Sequence, residues 1–147
     1  MAEISVITFK RGINKNILFS VPSSIEHWGI YVEYEGVNHT QMLYHADKTS
    51  LINCNTIYKS KPWTWLNNND KKVDYLVVVG YSSKLTHETI DEICCKISNN
   101  RIFNTLVNNC QEWVKSVLFE LVNTGNLSNL SMEELTENNE IRPLLDW

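Results

Sequence analysis

The chain is 147 residues long, 43% hydrophobic and 20% charged, with a formal net charge of −4. That length suits one domain whose core needs no staples, and the composition excludes a disordered chain. The acidic balance, with only short basic pairs such as Lys71-Lys72, leaves no footprint for nucleic acid.

Strands dominate the first two thirds. Ile4, Val6 and Thr8 alternate with Ser5, Ile7 and Phe9 in a short strand ended by Lys10-Arg11-Gly12. Pro22-Ser23-Ser24 marks a turn before the strongest strand, His27-Trp28-Gly29-Ile30-Tyr31-Val32, rich in β-branched and aromatic residues. Glu35-Gly36 and Val37-Asn38 form a hairpin tip, and a partner strand follows over 41–46. Residues 52–58 make a weaker strand. Pro62 and the polar run 67–72 mark a loop. DYLVVVG, over 74–80, is apolar on both faces, which predicts a central strand.

Helices follow. Thr86 is placed to cap the first, with Glu88 and Asp91 suited to its opening turns. Ile90, Ile93, Cys94 and Ile97 then recur at helical spacing. A second helix is expected over 108–123, where Cys110, Trp113, Val114, Val117, Leu118, Leu121 and Val122 form an apolar stripe and Gly125 supplies the stop. A third begins at Ser131, whose spacing to Glu134 makes a capping box, and Pro143 ends or kinks it. Strands first and helices after predict an α+β fold: an antiparallel sheet of about five strands with helices packed on one face. No linker or repeat divides the chain, so residues 1–147 read as a single domain.

No window approaches the ~18 apolar residues of a membrane span, and the N-terminus lacks a signal peptide's apolar run. A cytoplasmic location is therefore expected. The four cysteines, Cys54, Cys94, Cys95 and Cys110, show no CxxC spacing and read as free thiols in a reducing compartment. No His or Cys pair has the short spacing of a zinc site, and no cofactor is expected.

Cys110 carries the clearest chemical signal. With Asn108 as cap it lies two residues into its helix, where unpaired N–H groups and the helix dipole stabilise a thiolate and can hold an oxyanion. The competing reading is plain core filling, since Cys110 shares its stripe with Trp113 and Val114. Cys94, in mid-helix between Ile90 and Ile97, suits core filling better. A thiol nucleophile needs a base, and His27 opens the strongest strand. It shares a face with Gly29 and Tyr31, and Gly29 leaves room for a helix end to approach. The alternative is a solvated histidine at a strand end. His45, in phase with Leu43 and Asp47 on the partner strand, is placed to fix the tautomer of His27, with Asp47 as rival. His39 and His87 read as surface residues. Trp63 and Trp65 either pack on the sheet edge or line an apolar cleft.

HWGIYVEYEG, LYHAD and NNCQEWV, in that order, resemble the three blocks of the lecithin–retinol acyltransferase-like and NlpC-like group, a circularly permuted branch of the papain-like superfamily. The resemblance spans roughly residues 25–121, and only the three short blocks are specific. It implies a permuted papain-like fold in which His27 matches the base, His45 the third residue and Cys110 the nucleophile. Gln111-Glu112 stands where that group often has Glu-His, and the hydrophobic C-terminal anchor of its lipid enzymes is absent. The expected function is a cysteine-dependent hydrolase or acyltransferase that forms a thioester on Cys110 from a peptide or lipid acyl substrate. The alternative is a non-catalytic module of the same fold that binds a peptide or lipid partner.

Overall fold

In a computed structural model of the chain, residues 1–9, 27–36, 40–48, 56–64, 73–99 and 110–128 are described. They form strands β1 (Ala2–Phe9), β2 (His27–Tyr34), β3 (Thr40–Lys48), β4 (Thr56–Pro62) and β5 (Val73–Ser82), then helices α1 (His87–Ser98) and α2 (Cys110–Asn123). The expected third helix, from Ser131, lies outside the described residues, as do His39, Cys54 and Trp65.

The five strands form one antiparallel sheet in the order β4-β3-β2-β1-β5. Period-two alternation sorts their side chains. Trp28, Ile30 and Val32 of β2, Met42, Tyr44 and Ala46 of β3, and Ile4 and Val6 of β1 meet the helices in the main core. The α2 stripe enters that core as its spacing predicts, with Trp113, Val114, Val117, Leu118 and Leu121 fully buried. The expected α+β arrangement is thus present, with both helices contributing to the core on one face of the sheet.

On the outer face, Ile7, Tyr31, Leu43 and Trp63 form a second, smaller cluster. Trp63 is buried there and meets Phe9 and Tyr31 edge-on. It packs on the sheet rather than projecting outward.

The helix signals also behave as read. Thr86 caps α1, its hydroxyl accepting from the Thr89 N–H at 3.2 Å. Gly125, with φ of +74°, ends α2, and the Asn126 N–H returns to the Leu121 carbonyl at 2.8 Å.

Three expectations are corrected. β5 lies at an edge of the sheet, not its centre, and its outward Leu76 and Val78 are 38% and 45% exposed. An uninterrupted apolar run marks a strand without fixing its place in the order. β4 begins later than expected and takes in Pro62 as its last residue, a position open to proline because β4 is the other edge. His87 is not a surface residue: it is half-buried, stacked on Tyr44 with ring centroids 5.7 Å apart.

Candidate active site

The β2–β3 ladder runs from Tyr34–Thr40 to Gly29–His45 and stops there, although β2 continues to His27 and β3 to Lys48. One residue beyond the last rung, the Trp28 N–H donates to Cys110 Sγ at 3.4 Å. Backbone N–H groups of a strand lie in the sheet, across the strand direction. The start of α2 thus touches the backbone of β2 just past the last β2–β3 rung, with Cys110 itself in the helix-face core. Cys110 is the first residue of α2, not two residues in, and its cap lies outside the described residues.

The N–H that touches the sulfur belongs to the peptide bond between His27 and Trp28. Two covalent bonds separate that nitrogen from His27 Cα, so the sulfur lies within about 6 Å of His27 Cα. The His27 side chain alternates away from Trp28 to the outer face, where its ring lies 6.1 Å from Phe9. Its Nε2 is 3.0 Å from His45 Nδ1, with the two rings nearly perpendicular. The structure thus brings His27 and His45 into hydrogen-bond contact and sets Cys110 against the backbone beside His27. The side chain of Asp47, the rival third residue, lies outside the described residues.

Gly29 does matter here, for a different reason than room for a helix end. It sits directly opposite His45. A Cβ at Gly29 would fall 3.1 Å from Leu43 Cδ1, 3.1 Å from the Tyr44 carbonyl oxygen and 3.4 Å from His45 Cβ. The space beside it is filled by β3, so its missing side chain lets β3 lie close while His45 reaches across to His27.

Two contributors escaped the sequence reading. The Trp28 N–H is a backbone group and leaves no residue-type signal. Lys59 lies directly opposite His45 on β4, exposed on the outer face. Its position follows from pairing, which the strand boundaries read from sequence had shifted.

The other thiols differ. Cys94 is buried in the main core, where desolvation, then the Asp91 carboxylate, push its thiol far up. Cys95 is exposed, and slight burial followed by Asp91 raises its thiol as well. Neither has the strand N–H that Cys110 has. Cys110 itself is 1% exposed and packs with Trp113 and Val114.

A second polar cluster lies on the helix face. Tyr44 Oη is 2.7 Å from Tyr34 Oη and 2.8 Å from His87 Nδ1. Burial pushes the Tyr34 phenol up to about 12, against a lowering by its bond to Tyr44. Burial, then the bond to Tyr34, drives Tyr44 higher still. Compared with known family models, curated proteins and solved structures, the chain matches none.

Proposed function

We propose that the chain is a cysteine-dependent acyl hydrolase or acyltransferase of permuted papain-like fold, with Cys110 as nucleophile, His27 as base and His45 as the residue that orients it. The observation that carries this reading is the contact between Cys110 Sγ and the N–H of the His27–Trp28 peptide, with His27 Nε2 already bonded to His45.

On this reading the protons take one arrangement. With His45 on Nε2, the nitrogen of His27 that serves the sulfur is Nδ1. Neutral His27 then carries its proton on Nε2 and donates it to an accepting His45 Nδ1. His27 Nδ1 takes the proton from the Cys110 thiol, and the thiolate keeps the Trp28 N–H as a charge-assisted donor. The sulfur attacks the carbonyl carbon of an ester or amide, and N–H groups of the first turn of α2 hold the oxyanion. Nδ1–H of His27 protonates the leaving group. Water or another acceptor, deprotonated by His27, then attacks the thioester and releases Cys110. Peptide and lipid acyl groups both fit this chemistry.

The burial of Cys110 supports a second reading, in which the sulfur is core filling in a module that only binds a peptide or lipid. Alkylation with iodoacetamide, followed by peptide mapping, separates the two. A thiolate held by His27 and the Trp28 N–H keeps reacting at about pH 6, where Cys95 and Cys94 slow about tenfold for each unit below their own values. Labelling of Cys110 at pH 6 no faster than Cys95 would leave the binding module standing.

A further inference from the structure

The outer face of the sheet sorts its charges by row. Tyr58 packs on the main core and Trp63 joins the outer cluster, so Lys59 and Lys61 between them project outward, and both are exposed. The β2–β3 and β3–β4 ladders run in unbroken register. Gly29, His45 and Lys59 therefore share one row across three strands, and Tyr31, Leu43 and Lys61 share the next. Adjacent strands lie about 5 Å apart, so the flexible stem of Lys59 starts one strand spacing from His45. The outward carboxylates stand elsewhere. Glu3 and Glu33 face each other, and Glu33 lies four residues, about 13 Å, along β2 from Gly29. Its Oε1 accepts from the Tyr31 hydroxyl at 2.9 Å and from Gln41 Nε2 at 3.3 Å. Among the described residues neither Lys59 nor Lys61 is in an ion pair. Salt screens charges beyond about 8 Å in physiological conditions, so the lysines rather than Glu33 set the potential beside His45.

We infer that Lys59 and Lys61 select an anionic substrate: an acyl compound whose portion lying over β3 and β4 bears a carboxylate or a phosphate. The inference rests on the acyl-transfer reading of Cys110 and adds the charge of the substrate to it. Thiol attack puts the acyl carbon at the Cys110 sulfur, against the backbone beside His27. Toward β4, the outer face offers the rest of the substrate two ammonium groups. Lysines on alternate residues stand about 7 Å apart and repel each other, and an anion between them relieves that repulsion. Each ammonium is a point charge with three donors, which suits either anion. Exposed lysines on an edge strand, with Pro62 beside them, also deter pairing with another chain. That duty is met by charge of either sign, whereas anion selection needs positive charge, so reversing the sign separates the two.

The test is alkylation of the full chain by two matched pairs of reagents, read at each cysteine by peptide mapping. N-bromoacetylglycine is paired with the neutral N-bromoacetylglycinamide, and N-bromoacetylethanolamine phosphate with the neutral N-bromoacetylethanolamine. Within a pair the reactive group is the same, so the ratio of anionic to neutral rate divides out the reactivity of the thiol and leaves the effect of charge. Lys59→Met with Lys61→Met is expected to lower this ratio at Cys110 at least about threefold in one pair or both. Lys59→Glu with Lys61→Glu is expected to lower it further. Salt at about 1 M, where screening acts within about 3 Å, is expected to remove the wild-type preference. The ratio at the exposed Cys95, and that at Cys110 in Lys96→Met, are expected to hold. A fall in either pair supports the inference and names the anion. Ratios in both pairs that stay within about twofold after the double charge reversal, while Cys110 still outpaces Cys95, overturn it and leave acyl transfer standing. A Cys110 no faster than Cys95 toward the neutral reagents overturns the acyl-transfer reading and this inference with it.

Discussion

His27 and His87 are both bonded to β3, through adjacent residues: His45 for the first and Tyr44 for the second. Because side chains alternate along a strand, the two pairs lie on opposite faces of the sheet. On the helix face the phenol of Tyr44 joins His87 to Tyr34, all within or against the main core. On the outer face an imidazole meets an imidazole, beside the point where the strand backbone touches a thiol. The difference lies in what each partner can do with a proton. A buried phenol pushed up to about 12, as Tyr34 is, keeps its proton across the physiological range and acts as a structural bolt. Two imidazoles can pass one proton between nitrogens in that range and so suit acid–base work. If this contrast is right, changes at His27 and His45 alter reactivity and changes at Tyr44 and Tyr34 alter stability.

The sharpest break is Cys110→Ala, which is expected to abolish labelling by acyl probes and to lower any turnover at least about 10³-fold, beyond the modest loss of stability that a truncated buried side chain brings. His27→Ala is expected to cost about 10²- to 10⁴-fold in the rate of acyl-probe reaction and to move the pH–rate profile of Cys110 alkylation toward that of an ordinary thiol. A profile unchanged by His27→Ala would end the assignment of His27 as base. His45→Ala is expected to give a smaller loss of rate, read in the same assay, because it removes orientation and leaves the base.

The stability side should show the opposite pattern. Tyr44→Phe leaves the buried Tyr34 hydroxyl and His87 Nδ1 without their shared partner, at a cost of about 1–3 kcal/mol in urea unfolding and no change in Cys110 alkylation rate. Gly29→Ala mixes the two: the added methyl meets Leu43 and the Tyr44 carbonyl at 3.1 Å each, which costs about 1–3 kcal/mol and also displaces His45. The smallest effect is alkaline. Tyr34 has an ordinary value of 10.0 and a folded value of about 12, so the folded chain holds this proton more tightly. That stabilisation is complete below about pH 10 and is lost as pH rises through about 12, so unfolding free energy should fall over that window. In Tyr34→Phe the decline should be shallower.

Much of the fold was legible because it rests on periodicity and caps. The stripe of α2, the cap at Thr86 and the stop at Gly125 depend on residues close together in the chain, and each stands as read. What local pattern cannot carry is the order of strands. DYLVVVG reads as doubly buried, yet β1 takes the inner place, with Ser5 and Thr8 among its buried residues. The site followed the same division. Cys110, His27 and His45 stand out by residue type and position, and the structure brings the two histidines into contact and the thiol against the adjoining backbone. The Trp28 N–H, Lys59 and the packing beside Gly29 exist only once strands are paired, and His87 reads as exposed until Tyr44 is brought over it.

The adjacency of Tyr44 and His45 has one more consequence. Slipping β3 by a single position against β2 would carry the imidazole inward and the phenol outward. The proposed catalytic pair and the buried bolt would fail together. A misregistered hairpin therefore has no route to a durable but inactive form: such molecules should unfold readily and be cleared, so the conformers that persist are those with the site assembled.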